Sequence, residues 1–313
     1  MEQIQNFAPV IIPTLNRYEH FKRCIESLSR CTWAEETEVY VGLDYPPSEK
    51  YKEGYEKINN YLENCGSLGF KQLHVIKRER NYGASANWED LKQMAYLKSD
   101  TYIGSEDDNE FSPCFLDFMN KALCEYKDNP KVMSVCGYVP ASWEGVFNQG
   151  VLFNYDSGAY GIGWWKYKEP TCDLVYYQTL WKKHYWKIFW TSPSVAMMFM
   201  TMIKTNQKWG DVMNSCSNMI EKRYQVRPFQ TLVRQCGLDG TGLHCDNDGG
   251  KEMSRQISND KIFILSNGCL DSILPRRYYF NYLLPTNVLK KYYVILKFFI
   301  KSFLVRCNIA SCD

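Results

Sequence analysis

The stretch TYIGSEDDNEFSPCFLDFM, Thr101 to Met119, decides how the rest of the chain is read. Thr101–Ser105 is a short apolar run of the kind that forms a buried strand. Three consecutive carboxylates follow at once, Glu106, Asp107 and Asp108. Ser112 and Pro113 then supply an N-cap and a first-turn proline for a helix reaching Tyr126. Two unit charges ~4 Å apart repel by roughly 4 kcal/mol at an effective dielectric of ~20, so carboxylates crowded at a strand end call for a cation. A divalent ion with oxygen ligands, shared with a diphosphate, meets that need. A solvated acidic turn is the plain alternative, and the buried strand before it and capped helix after it weigh against that.

Working outward, the first half alternates short apolar runs with longer mixed segments, the pattern of β-α-β units on a mainly parallel sheet. Strands are predicted at Ala8–Pro13, Glu38–Leu43, Leu73–Lys77 and Val132–Cys136, and helices at Arg17–Arg30 and about Ala86–Leu97. Ligands on such sheets bind beyond the carboxyl ends of the strands. Polar residues gather at those ends: Pro13, Thr14, Asn16 and Arg17 after the first strand, Asp44 after the second, and Arg80, Asn81, Tyr82 and Gly83 after the third. The first of these loops opens a helix and suits a nucleotide, through backbone N–H groups and a guanidinium. A carboxylate at Asp44 suits a base or ribose. Each alone would pass for a turn; four successive strand ends carry more weight.

The second half is richer in Trp, Tyr and Gly, with loops expected at Asn154–Trp165 and Gly237–Gly250. Trp164 and Trp165 are placed either to stack on a sugar ring or to pack. The glycines of Gly237-Leu-Asp-Gly-Thr-Gly suit a loop that orders over a ligand.

The order IIPTLNRYEHFKRCIESL, VYVGLD, RNYGASANWEDLKQ, TYIGSEDDNEFSPCFLDFM, GAYGIGWW and KWGDVMN…RPFQTLVRQCGLDGTG resembles the A-type glycosyltransferase fold. The likeness is to the N-acetylglucosaminyltransferase I family and related bacterial family 2 transferases, over about Ala8 to Asp246. The resemblance implies one Rossmann-like α/β domain with a mixed, mainly parallel sheet. It implies Arg17 at the donor diphosphate, Asp44 at the nucleobase, Glu106 and Asp107 near ribose and sugar, and Asp108 on a Mn2+ or Mg2+ ion. Gly161–Trp165 resembles the loop under the donor sugar, and a late histidine, His244, sits where related transferases sometimes complete the metal shell. Asp211, in Trp209-Gly-Asp-Val-Met, resembles the segment carrying the catalytic base, although Asn214 replaces the usual arginine and Gly210 a second acid. Inverting displacement of a nucleoside diphosphate needs one such carboxylate to take the acceptor proton. Asp211 is the first candidate and Asp239 the rival.

Composition sets the frame. The 313 residues, 45% hydrophobic, suffice for a full core. Lys and Arg total 37 against 35 acidic residues, so nothing global points to nucleic acid. Seven basic residues and no acidic one lie between Arg276 and Arg306 (Arg276, Arg277, Lys290, Lys291, Lys297, Lys301, Arg306), which subtracted from the formal +2 leaves −5 for the remainder. The 13 cysteines show no paired spacing and read as reduced thiols. Residues 1–275 are expected to form the catalytic domain, with a nucleotide-binding half to about 137 and an acceptor half from 138, and 276–313 a basic tail. On a helical wheel Lys290, Lys297 and Lys301 oppose Leu296, Phe299 and Phe303, a pattern that suits either an anionic membrane surface or docking on the domain.

The polar N-terminus shows no signal peptide, which points to a cytoplasmic site at the inner face of a bacterial plasma membrane. The function expected is transfer of a sugar from a nucleoside diphosphate sugar, a UDP-sugar favoured, to a glycan or lipid-linked saccharide in surface polysaccharide or lipopolysaccharide synthesis. Two rivals stand beside it. A sugar-phosphate nucleotidyltransferase would need glycines in the first loop, which PTLNRYEH lacks. A non-catalytic nucleotide- or carbohydrate-binding module would share the fold without turnover.

Overall fold

The structure is a computed structural model that describes residues 6–143, 150–170, 173–241, 249–266, 268–270 and 287–306. Its framework is a nine-stranded mixed sheet of mainly parallel pairs. One half of it follows the predicted β-α-β units: β1 (Val10–Thr14), α1 (Tyr18–Ser29), β2 (Glu38–Leu43), α2 (Lys52–Asn64), β3 (Gln72–Lys77), α3 (Ala84–Tyr96) and β4 (Thr101–Gly104). These strands lie parallel in the order β3-β2-β1-β4. β1 and β2 are covered on both faces, hence their near-continuous apolar runs. Pro13 sits where β4 has already ended, so its missing N–H removes no bond from that side of the ladder.

β5 (Asn109–Phe111) and α4 (Phe115–Glu125) follow, then β6 (Val132–Cys136), β7 (Val151–Asn154) and β8 (Ile162–Trp165). The remaining elements are α5 (Leu174–Thr191), α6 (Pro193–Thr205), α7 (Gly210–Glu221), β9 (Tyr224–Pro228), β10 (Val233–Gln235), β11 (Gly268–Leu270) and α8 (Val288–Arg306). β8 runs antiparallel to both β4 and β6 and so joins the two halves of the sheet. β9 pairs parallel with β6, β7 antiparallel with β9, and β11 parallel with β7, while β5 and β10 form a separate antiparallel ribbon. The division expected at residue 137 falls just beyond β6, yet strands from both sides interleave in one sheet.

The apolar stripes explain the layers. Phe21, Cys24, Ile25 and Leu28 recur at helical spacing along α1 and pack with β1, β2 and α4 on one face of the sheet. Leu91, Ala95 and Tyr96 of α3 cover the other face beside Tyr40, Tyr102 and Trp164. α5, α6 and α7 build a separate aromatic core around Tyr177, Trp181, Phe199 and Cys216.

The structure corrects the sequence reading in three places. The expected loop Asn154–Trp165 ends in β8, a central strand. The helix expected from Ser112 starts at Phe115, and the Ser112 hydroxyl accepts the Cys114 N–H at 3.1 Å one step before it. α2, the ribbon β5–β10 and, in the second half, β7, α5, α6, α7, β9 and β11 were not anticipated. Among the described residues no helix is long and apolar enough to cross a membrane.

Candidate active site

The acids at the end of β4 meet the loop after β1. The Thr14 hydroxyl donates to Asp107 Oδ2 at 2.8 Å, and Arg17 Nη2 bonds Asp107 Oδ1. Arg17 Nη1 lies 2.9 Å from Asp108 Oδ2. Neighbouring parallel strands bring the two loops together, because β1 pairs directly with β4. Burial works against charge on Arg17, but Asp107 and Asp108 more than offset it and hold the guanidinium firmly protonated. One guanidinium thus faces three carboxylates. Burial, then repulsion from Asp108 and Asp107, pushes the Glu106 carboxyl up to about 8. Asp108 is also raised, by burial first, with Arg17 opposing.

A second observation bears on a cation. Asp108 Oδ1 is buried and, among the described residues, has no hydrogen-bond partner, a costly state for a carboxylate oxygen. Gly237 closes over the same group: a Cβ there would lie 2.1 Å from Asp108 Oδ2. The Cys236 N–H donates to the Asp108 carbonyl at 2.7 Å, fixing that approach. Among the described residues no three His, Cys, Asp or Glu side chains converge as a complete metal cage. The donor set at Asp108 therefore fits a hard cation that takes its other oxygens from a ligand or water. His244 lies outside the described residues.

Asp211, half-buried in the first turn of α7, faces the same cluster, close enough to raise Glu106 by repulsion. Burial raises its own proton affinity, while the Val212 N–H, 2.8 Å from Oδ1, opposes the rise. Asp156 stands beside it, a residue the sequence reading missed because it lies in a loop without a motif. Burial pushes Asp156 up to about 7, against Arg227 and with help from Asp211. Its loop is fixed: Ser157 N–H donates to Ser215 Oγ of α7 at 2.8 Å, and Gly158 N–H to Gln225 Oε1 at 2.8 Å. Asp239, the rival base, is paired with His20 at 3.0 Å and accepts from the Thr241 N–H and hydroxyl. Burial alone would raise it, but those bonds hold it below the usual carboxylate range, which disfavours it as a base.

Two other expectations change. Asp44 is buried at the end of β2, and its oxygens accept from the N–H groups of Tyr45, Tyr82 and Gly83 and from Asn81 Nδ2. With four donors on it, the carboxylate anchors the loop after β3, and Asn81 and Gly83 serve that anchor. Trp164 and Trp165 do not stack on a sugar: both are buried in β8. The Trp165 indole donates to the Leu123 carbonyl at 3.2 Å, and Trp164 packs in the core under α3. Asn16 turns its carbonyl to the Tyr18 N–H and against Gly54 of α2, so it shapes the start of α1. Two cavities lie elsewhere, one between α5 and α8 and one at the amino-terminal edge of β1.

Comparison with known proteins gives one assignment. The profile described as glycosyl transferase family 2 matches residues 10–206. Among curated proteins nothing matches. Solved structures with a partial likeness include a mannosyltransferase from Pyrobaculum calidifontis in complex with GDP-Man and Mn2+, 11% identical over 52% of this chain and 44% of that one, TM-score 0.37. TarS of S. aureus in complex with UDP-GlcNAc is 19% identical over 44% of this chain and 38% of its own, TM-score 0.31. The chain thus spans less than half the length of either.

Proposed function

The chain belongs to glycosyl transferase family 2, and on that premise we propose that it transfers a sugar from a nucleoside diphosphate donor to a saccharide hydroxyl with inversion, aided by Mn2+ or Mg2+. The observation that carries the reading is the buried Asp108 Oδ1, unpartnered among the described residues, beside the Arg17 guanidinium that pairs with Asp107 and Asp108. Asp108 would hold the ion, which would neutralise charge developing on the departing diphosphate. Arg17 sits where its guanidinium can turn from the acids to the phosphates.

Asp211 acts as the general base. The acceptor oxygen attacks the anomeric carbon, its proton passes to the Asp211 carboxylate, and the bond from that carbon to the diphosphate oxygen breaks. Burial supports this role, because it raises the proton affinity of a carboxylate that must take a proton only transiently. We further propose a UDP-sugar as donor and a glycan or lipid-linked saccharide of a cell-surface polymer as acceptor.

Calorimetry with UDP, GDP, CDP and dTDP, with and without Mn2+, tests the reading on wild type and Asp108→Ala. One nucleotide is expected to bind wild type only with metal, and the variant is expected to lose it. Failure of all four under every condition overturns the donor site. Asp211→Asn is expected to keep that binding and lower the rate of nucleoside diphosphate release about 100- to 10,000-fold. An unchanged rate removes Asp211 as base.

A further inference from the structure

The helices α5, α6 and α8 contain nine Lys and Arg and no Asp or Glu: Lys182, Lys183 and Lys187 in α5, Lys204 in α6, and Lys290, Lys291, Lys297, Lys301 and Arg306 in α8. Subtracted from the formal net charge of +2, these nine leave −7 on the rest of the chain. The same helices carry much of the exposed apolar surface. Leu289, Tyr292, Leu296, Ile300 and Phe303 are all at least 44% exposed, and at about 100° per residue they share one arc of α8 roughly 80° wide.

α8 is also docked. Phe299, at the margin of that arc, lies 4.6 Å from Trp186 and 5.9 Å from Phe189 of α5, ring centre to ring centre. Only one edge of the apolar face is used by this contact, and the rest is left outward. On α5 the exposed Trp190 shares a face with Lys183 and Lys187. A groove of about 330 Å3 runs between Trp190, Tyr292 and Leu296, with Phe189, Ile295 and Phe299 as its floor.

We propose that this α5–α8 surface lies on an anionic lipid bilayer, with the arc of α8 and Trp190 inserted at the headgroup boundary and the lysines against lipid phosphates. Exposed aromatic and aliphatic side chains flanked by lysines, on helices too polar to span, are what an interfacial surface requires. A second copy of the chain fits poorly, because a self-complementary interface would bring two sets of cations together without a carboxylate from these helices between them. The proposal uses none of the acidic residues, so it stands independently of the catalytic reading.

Co-sedimentation of the full chain with vesicles of phosphatidylcholine alone, and of phosphatidylcholine mixed with phosphatidylglycerol, tests it. Partition onto the anionic vesicles is expected to exceed that onto the neutral ones at least tenfold and to fall steeply as salt rises. Two double variants of exposed residues, Leu296→Ser with Phe303→Ser and Lys290→Glu with Lys297→Glu, are each expected to lose at least tenfold in partition with an unchanged melting temperature. Equal partition onto both vesicles, absence of binding, or unaltered partition of both variants overturns the proposal. So does a dimer in gel filtration that the Leu296→Ser and Phe303→Ser variant abolishes.

Discussion

At Gly237 a methyl group would stand 2.1 Å from Asp108 Oδ2 and 3.1 Å from Arg17 Nη1. Real atoms do not approach so closely, so an alanine must displace either the carboxylate or the β10 end whose N–H, at Cys236, holds the Asp108 carbonyl. Gly237→Ala is therefore expected to weaken Mn2+-dependent nucleotide binding about tenfold or more, roughly 1.4 kcal/mol, while the melting temperature moves by only a few degrees. Calorimetry beside a thermal melt checks this; unchanged affinity would mean that Asp108 is not held where the ion needs it. The three acids were legible in the sequence because they are consecutive and follow a strand. Asp156 was not, and Gly237 was read only as part of a Gly-rich loop that orders over a ligand, since the contact with Asp108 joins residues far apart along the chain, which no local pattern records.

Elements were legible where their burial is simple. β2 and β6 are almost wholly buried runs, each with two valines, and fall where the sequence places them. β8 was hidden by its glycines, which read as a loop. Gly163 lies in mid-strand because a Cβ would sit 3.0 Å from Met119 and 3.2 Å from Leu123, so α4 packs directly on the strand backbone there. With β8 in place, its tryptophans become core rather than sugar platform. The loop after β3 follows similar logic: Asp44 satisfies two of its N–H groups and the Asn81 amide, and Gly83, at φ 74°, tolerates a backbone turn that a side chain would strain. In Asp44→Asn one oxygen is exchanged for an amide donor, which meets the donors already there. The expected outcome is a loss of affinity for UDP, GDP, CDP and dTDP by similar factors, about five- to tenfold, roughly 1 kcal/mol, as the loop loosens. A reordering of preference among the four bases would instead assign Asp44 to direct base recognition.

Across the whole molecule the balanced composition conceals an uneven distribution: α5, α6 and α8 carry nine Lys and Arg and no acid, while Glu106, Asp108, Asp156 and Asp211 gather elsewhere. The basic tail was visible in the sequence, but its continuation into α5 and α6 was not, because it depends on the docking of α8 against Trp186 and Phe189, a contact between residues far apart along the chain. The acidic side has a consequence for stability. Burial raises Glu106 to about 8 and Asp156 to about 7, and raises Asp108 and Asp211 as well. In the unfolded chain all four lose their protons near pH 4. Between those limits the folded state binds more protons than the unfolded one, so stability is highest at the acid end and declines as pH rises through 7 to 8. Asp239 and Glu38 are shifted the other way, but their stabilisation is lost only below about pH 4 and does not touch this window. Without metal, the melting temperature is expected to fall from pH 6 to pH 8 by an amount worth about 2 kcal/mol. On the proposed reading Mn2+ is held by the ionised acids, and it is expected to restore much of that loss at pH 8 and little at pH 6. Glu106→Gln removes the largest of the shifted groups, so its apo melting temperature should exceed that of wild type at pH 8 and vary less with pH. Thermal melts at pH 6, 7 and 8, with and without Mn2+, decide the matter: a wild-type apo protein that grows more stable toward pH 8 would mean these acids are solvated in solution, and the electrostatic case for a cation at Asp108 would fall with them.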